Sequence, residues 1–126
     1  MTDDAPRRFT ISFTGFNKAM VVLGLRPANS YVAVGQDEVT VRMGWAFETT
    51  VPRSSIVSVD HDHDRVLGWG AHGWKGVWLV NGSSTGIVRI ELDTGHHGRM
   101  AIFSIKPHCL RVSVEEPDAL IEVLAP

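Results

Sequence analysis

Val39 to Val59 reads VTVRMGWAFETTVPRSSIVSV, and its two-residue period decides the fold class. Val39, Val41 and Met43 fall on one face, with Thr40 and Arg42 on the other. That alternation belongs to a strand with one face buried and one face wet. Gly44-Trp45 makes a tight connection, and Phe47, Thr49 and Val51 form the returning face. Pro52 has no N–H to give a sheet, so this strand ends there or lies at an edge. Ser54 to Asp60 (SSIVSVD) supplies a further strand.

The same period recurs outward. Arg7 to Thr14 alternates, with Phe9, Ile11 and Phe13 on one side, until Gly15 breaks it. Phe16 to Leu23 switches to a helical period through Phe16, Met20 and Leu23, with Gly24 and Pro27 as stops. Ser30 to Val34 is a short strand followed by the turn Gly35-Gln36-Asp37. Asn81 to Gly86 is the strongest turn signal in the chain. With Trp78 and Val80 before it and Val88, Ile90 and Leu92 after it, it predicts a hairpin. Asp93 to Gly98 is a loop, and Arg99 to Ile105 and Leu110 to Val114 are the last two strands. Pro117 opens a helix at a position where its missing N–H costs nothing. Leu120, Val123 and Leu124 form the stripe by which that helix caps the sheet. Residues 1–6 read as a loose tail and 7–126 as a single domain.

Composition narrows the function classes. The 126 residues are 44% hydrophobic and 21% charged, a globular balance. A net charge of -2 lacks the basic excess of a nucleic-acid binder. The one cysteine, Cys109, excludes an internal disulfide, and its flanks give no metal-ligand spacing. MTDDAPRR at the start is polar and has no apolar core of a leader. The longest apolar run, Ala19 to Leu25, is too short for a transmembrane segment. A cytoplasmic location is the expectation.

Two clusters carry candidate chemistry. Arg65 to Gly82 (RVLGWGAHGWKGVWLVNG) interleaves Trp69, Trp74 and Trp78 with glycines and with His72. Indoles bury large areas, and glycines let a backbone bend or approach a ring closely. Trp69, His72, Trp74 and Trp78 are therefore the candidate ligand- or partner-binding residues. On a single strand Trp74 and Trp78 would share a face, with Trp78 as the core anchor. The second cluster is His61-Asp62-His63-Asp64. On a strand it sets His61 and His63 on one face, an arrangement that can give two imidazoles to a metal. A metal site needs a third ligand, and a solvated charged loop accounts for the same residues. No catalytic fingerprint for nucleophile, phosphate or dinucleotide chemistry is present, and no cofactor is expected.

The segment from Val39 to Val59 and the ending LRVSVEEPDALIEVL (Leu110 to Leu124) resemble bacterial pleckstrin-homology-like domains. In particular they are similar to single-domain actinobacterial proteins of that kind. The resemblance covers about a third of the chain. It implies an α+β, mainly antiparallel β fold: a bent sheet or partly open barrel with a C-terminal capping helix. The short N-terminal helix and the Trp/Gly stretch lie outside that pattern. Phosphoinositide recognition would want clustered basic residues, and Arg7-Arg8, Lys18, Arg26, Lys75 and Arg89 are scattered. Three functional expectations follow. The first is a non-catalytic interaction or scaffold module, binding a protein partner or itself through a sheet edge or the aromatic stretch. The second is a small-molecule binder with a pocket near Trp69 to Trp78. The third is a metal-dependent enzyme using His61 and His63.

Overall fold

The computed structural model describes residues 7–12, 29–63, 70–81 and 85–126. Its strands are β1 (Arg7–Thr10), β2 (Ser30–Val34), β3 (Glu38–Met43), β4 (Phe47–Pro52), β5 (Ile56–His61) and β6 (Gly70–Trp74). They continue with β7 (Val77–Asn81), β8 (Ile87–Leu92), β9 (Gly98–Met100), β10 (Phe103–Ile105) and β11 (Cys109–Ser113). Among the described residues there is one α-helix, α1 (Pro117–Leu124), which follows β11. The class is α+β and mostly antiparallel.

Among the described residues the strands form two sheets and no closed barrel. The first has six strands in the order β1-β2-β3-β4-β9-β10, and the second has five in the order β5-β8-β11-β7-β6. Beyond β1 the chain leaves the first sheet to meet the second. Ile11 bridges to Val114, the Ser12 N–H donates to the Ser113 carbonyl (2.9 Å) and the Glu115 N–H to the Thr10 carbonyl (3.0 Å). The inner faces meet in one core. Val32, Val41, Met43 and Phe47 come from the first sheet, and Val80, Val88, Ile90, Leu110 and Val112 from the second. Each such side chain, fully buried, contributes about 1.5–3 kcal/mol.

α1 closes one end of this core with Leu120 and Leu124, both buried. Pro117 begins it and Asp118 lies in its first turn, where a negative charge favours the helix dipole. At its other end Arg53 acts as a tie. Its guanidinium donates to the carbonyls of Val123 (2.7 Å) and Gly35 (3.1 Å), joining the helix C-terminus to the β2–β3 turn.

Several expectations change. Arg53–Ser55 form a short 3-10 turn, so the strand after Pro52 starts at Ile56 and not at Ser54. The stretch from Arg99 to Ile105 is not one strand but a tight hairpin, β9 and β10, turning at Ala101 and Ile102. The predicted hairpin across Asn81–Gly86 does not form as a pair. β11 inserts between β7 and β8, parallel to the first and antiparallel to the second. The physical reason lies in β11 itself. Cys109, Leu110, Val112 and Ser113 are all buried, so both faces of that strand are covered and a central place suits it. The tail at residues 1–6, Phe13, and the helix expected from Phe16 to Leu23 lie outside the described residues.

Candidate functional site

The tryptophan stretch divides at a turn. Lys75 (φ 52°) and Gly76 (φ 82°) both take positive φ, as a two-residue hairpin with the right twist requires. β6 and β7 therefore pair, with Trp74 opposite Val77, Gly73 opposite Trp78 and His72 opposite Leu79. Trp74 and Trp78 stand on different strands, contrary to the single-strand expectation that gave them one face. The Trp78 ring lies where a β-carbon on residue 73 would be, so glycine there admits it. On its other side Trp78 packs on the core and meets Phe47, with ring centroids 5.7 Å apart and a 42° tilt. Trp78 is thus a core anchor. For His72 and Trp74 the structure describes the backbone placement on β6, and Trp69 lies outside the described residues.

His108 secures the same turn. Its Nε2 is 3.0 Å from the Lys75 carbonyl, and its ring lies over Gly76 where a β-carbon would clash.

The second cluster splits as its period predicts. His61 and His63 lie together, with rings nearly parallel (18°) and centroids 6.1 Å apart. Asp118 of α1 joins them, its Oδ1 2.6 Å from His61 Nε2. Both partners are exposed, and such a pair contributes little to stability. Among the described residues no group of three His, Cys, Asp or Glu side chains is arranged to hold a metal ion.

Asp62 turns the other way and is buried. Arg111 Nε donates to its Oδ2 at 2.5 Å, and Arg89 Nη1 stands 3.8 Å from the same oxygen. Arg89 and Arg111 are directly opposed on β8 and β11, a pairing of like charges that destabilises a sheet unless an acid separates them. Glu91 assists, accepting from Arg89 Nε at 2.6 Å, and this bond raises the guanidinium pKa further. The middle of HDHD is a structural acid.

Cys109 neighbours this network. Burial pushes its thiol up to about 12, against a partial opposing pull from Arg89. Burial thus disfavours the thiolate that a nucleophile would need near neutral pH.

A shallow cleft of about 360 Å³ is lined by Glu48, Thr49, Thr50, His97, Gly98 and Arg99. Arg99 leads from this cleft to the most unusual surface of the molecule. Its Nη1 donates to the carbonyls of Trp45 (2.8 Å) and Ala101 (3.0 Å), and its Nη2 reaches Glu48 at 3.4 Å. The Ala101 N–H donates to the Ala46 carbonyl at 2.9 Å. The β3–β4 turn and the β9–β10 turn are thereby held side by side at one end of the first sheet.

Three large apolar side chains are exposed there: Trp45 at 51%, Ile102 at 88% and Phe103 at 61%. The cross-strand row from Met43 through Phe47 and Met100 to Phe103 runs from wholly buried to mostly exposed. The core row thus runs past its own cover. Ala101 adds strain, because at φ 53° it occupies the left-handed region where glycine is favoured. This corner was not singled out from the sequence. The available signal was an apolar run, Met100 to Phe103, with no charge to protect it.

No family model, no curated protein and no solved structure matches the chain.

Proposed function

We propose that this protein is a non-catalytic interaction module that docks a protein partner at the corner formed by the β3–β4 and β9–β10 turns. The observation that supports this reading is the exposure of Trp45, Ile102 and Phe103 on turns that are themselves firmly bonded. Apolar patches of a few hundred Å² on a folded chain commonly mark interaction sites. A strained, non-glycine residue at the tip is a further mark of functional constraint. His61 meets Asp118 at an exposed site and burial holds the Cys109 thiol neutral, so an enzyme reading draws no support from either.

The pleckstrin-homology-like reading of the fold stands beside this as part of the proposal. Two sheets packed across a common core, with a C-terminal helix at one end, support it. The parallel pairing of β7 with β11 lies outside a wholly antiparallel plan.

A photo-crosslinking residue at position 102, introduced into the full chain in cells, tests the docking surface. The control is the same residue at Gln36, an exposed turn position in the β2–β3 connection. Adducts at 102 well above those at 36 are expected. Equal yields at the two positions would remove the reading.

A further inference from the structure

Resting on that docking surface, we infer that its occupant is a second copy of this chain, paired antiparallel along β10 about a two-fold axis at Ser104. β10 is the end strand of the six-stranded sheet. Such an edge presents backbone donors and acceptors to any extended strand. What points to a second copy is the symmetry of the edge. Ile102-Phe103-Ser104-Ile105 places a large apolar residue on each side of a small polar one. An isologous interface requires that self-complementarity. With Ser104 opposite Ser104 of the other copy, Phe103 of each lies opposite Ile105, and Lys106 of each lies opposite Ile102.

No like charges then face each other directly. The other edge of the same sheet, β1, carries two cations, Arg7 and Arg8, where β10 carries none.

Packing and area agree with the geometry. Phe103 and Ile105 share the inner side of the sheet with Met100, Phe47 and Thr49, by their strand register. A second β10 would extend the sheet and cover the row that ends in Phe103. Aromatic side chains bury roughly 150–250 Å² each when fully covered. At the exposures of Ile102 and Phe103, the edge therefore offers on the order of 250 Å² per copy. With the paired backbone added, the total is roughly 800 Å², which belongs with weak and transient associations. The dimer is accordingly reversible and concentration-dependent.

Sedimentation velocity on the full chain, from about 10 µM to about 1 mM, brackets the range of such an interface. The parent is expected to shift from monomer toward dimer across it. The symmetry is tested by two charge variants, Ser104→Lys and Ser104→Asp. Each alone sets like charges together on the axis and should remain monomeric, while an equimolar mixture should regain or exceed the parent's association. Ser104 is exposed but stands opposite Arg99 on β9, so each variant's thermal midpoint is read beside its association; the regain on mixing separates lost pairing from a local disturbance of Arg99, which mixing would not reverse.

A parent that stays monomeric throughout overturns the second-copy inference. So does a mixture no more associated than its components. The crosslinking at position 102 keeps the two readings apart. Adducts with a different protein leave the docking surface standing and sink only the self-pairing, whereas no adducts above control sinks both.

Discussion

The two edges of the six-stranded sheet carry the same residue type to opposite ends. On β1, Phe9 is only 2% exposed and packs in the core, while on β10, Phe103 is 61% exposed. β1 is guarded by cations: the Arg7 guanidinium lies 4.8 Å from the Phe9 ring centroid, and that of Arg8 lies 4.2 Å from the Tyr31 ring. Charge on an edge strand discourages pairing with foreign strands. β10 carries no charge from Phe103 to Ile105. One edge has been closed to partners and the other left available. The contrast shows that exposure of apolar residues here is local to a surface and not a general looseness of the sheet.

The largest expected effect breaks the protected edge. Phe9→Ala should cost about 3–5 kcal/mol, because it empties a buried site, and urea denaturation would show this as a lower midpoint with little change in slope. Next comes Gly98→Val on β9. A β-carbon there would stand 3.1 Å from Thr49 and 3.3 Å from Ile105, so the change should loosen β9 from its neighbours at a cost of about 1–3 kcal/mol. Association should weaken with it, since β10 reaches the sheet only through β9.

Ala101→Gly acts in the other direction. It relieves a left-handed alanine, so stability should rise by about 0.5–1 kcal/mol after the extra freedom of glycine in the unfolded chain is counted. A thermal midpoint that falls would show that the turn is not strained.

The smallest effect belongs to the open edge. Phe103→Ser should leave stability within about 0.5 kcal/mol of the parent, while adducts at position 102 diminish. If Phe103→Ser proved as costly as Phe9→Ala, the two edges would not differ in kind.

Where the pattern was local, the sequence was sufficient. The alternation of Val39, Val41 and Met43, and of Phe47, Thr49 and Val51, appears as buried positions of β3 and β4. Pro117, Leu120 and Leu124 likewise place the C-terminal helix. What local pattern could not supply was partner choice. Trp78, Val80, Val88 and Ile90 have the right period on either side of a strong turn, yet period does not say that β11 comes between them.

The corner escaped for a more specific reason. A tight hairpin with positive φ ordinarily advertises itself through glycine or asparagine, and here the turn is Ala101-Ile102. Without that signal, Arg99 to Ile105 passes for an unbroken strand and its exposed tip is invisible. The histidine pair was legible, but its exposed contact with Asp118 depends on α1 packing beside β5, a tertiary fact with a separation of 57 residues. The role of Asp62 depends on Arg89 and Arg111 meeting across two strands.

The central place of β11 bears on how the chain is made. Of the described strands, the last to leave a ribosome is the one that its sheet needs in the middle, since β5–β8 and β6–β7 are joined only through it. Before residues 109–113 emerge, β7 and β8 each lack a neighbour on the side β11 will fill, with Val80 and Ile90 awaiting their packing partners. A growing chain with unpaired strand edges is exposed to wrong pairings until the strand that fills the gap arrives. Arg53 shares that delay, because the Val123 carbonyl it binds is made 70 residues later. The second sheet is therefore completed only once β11 has emerged, and a release of the chain just short of β11 would leave two hairpin-like pieces in place of one sheet.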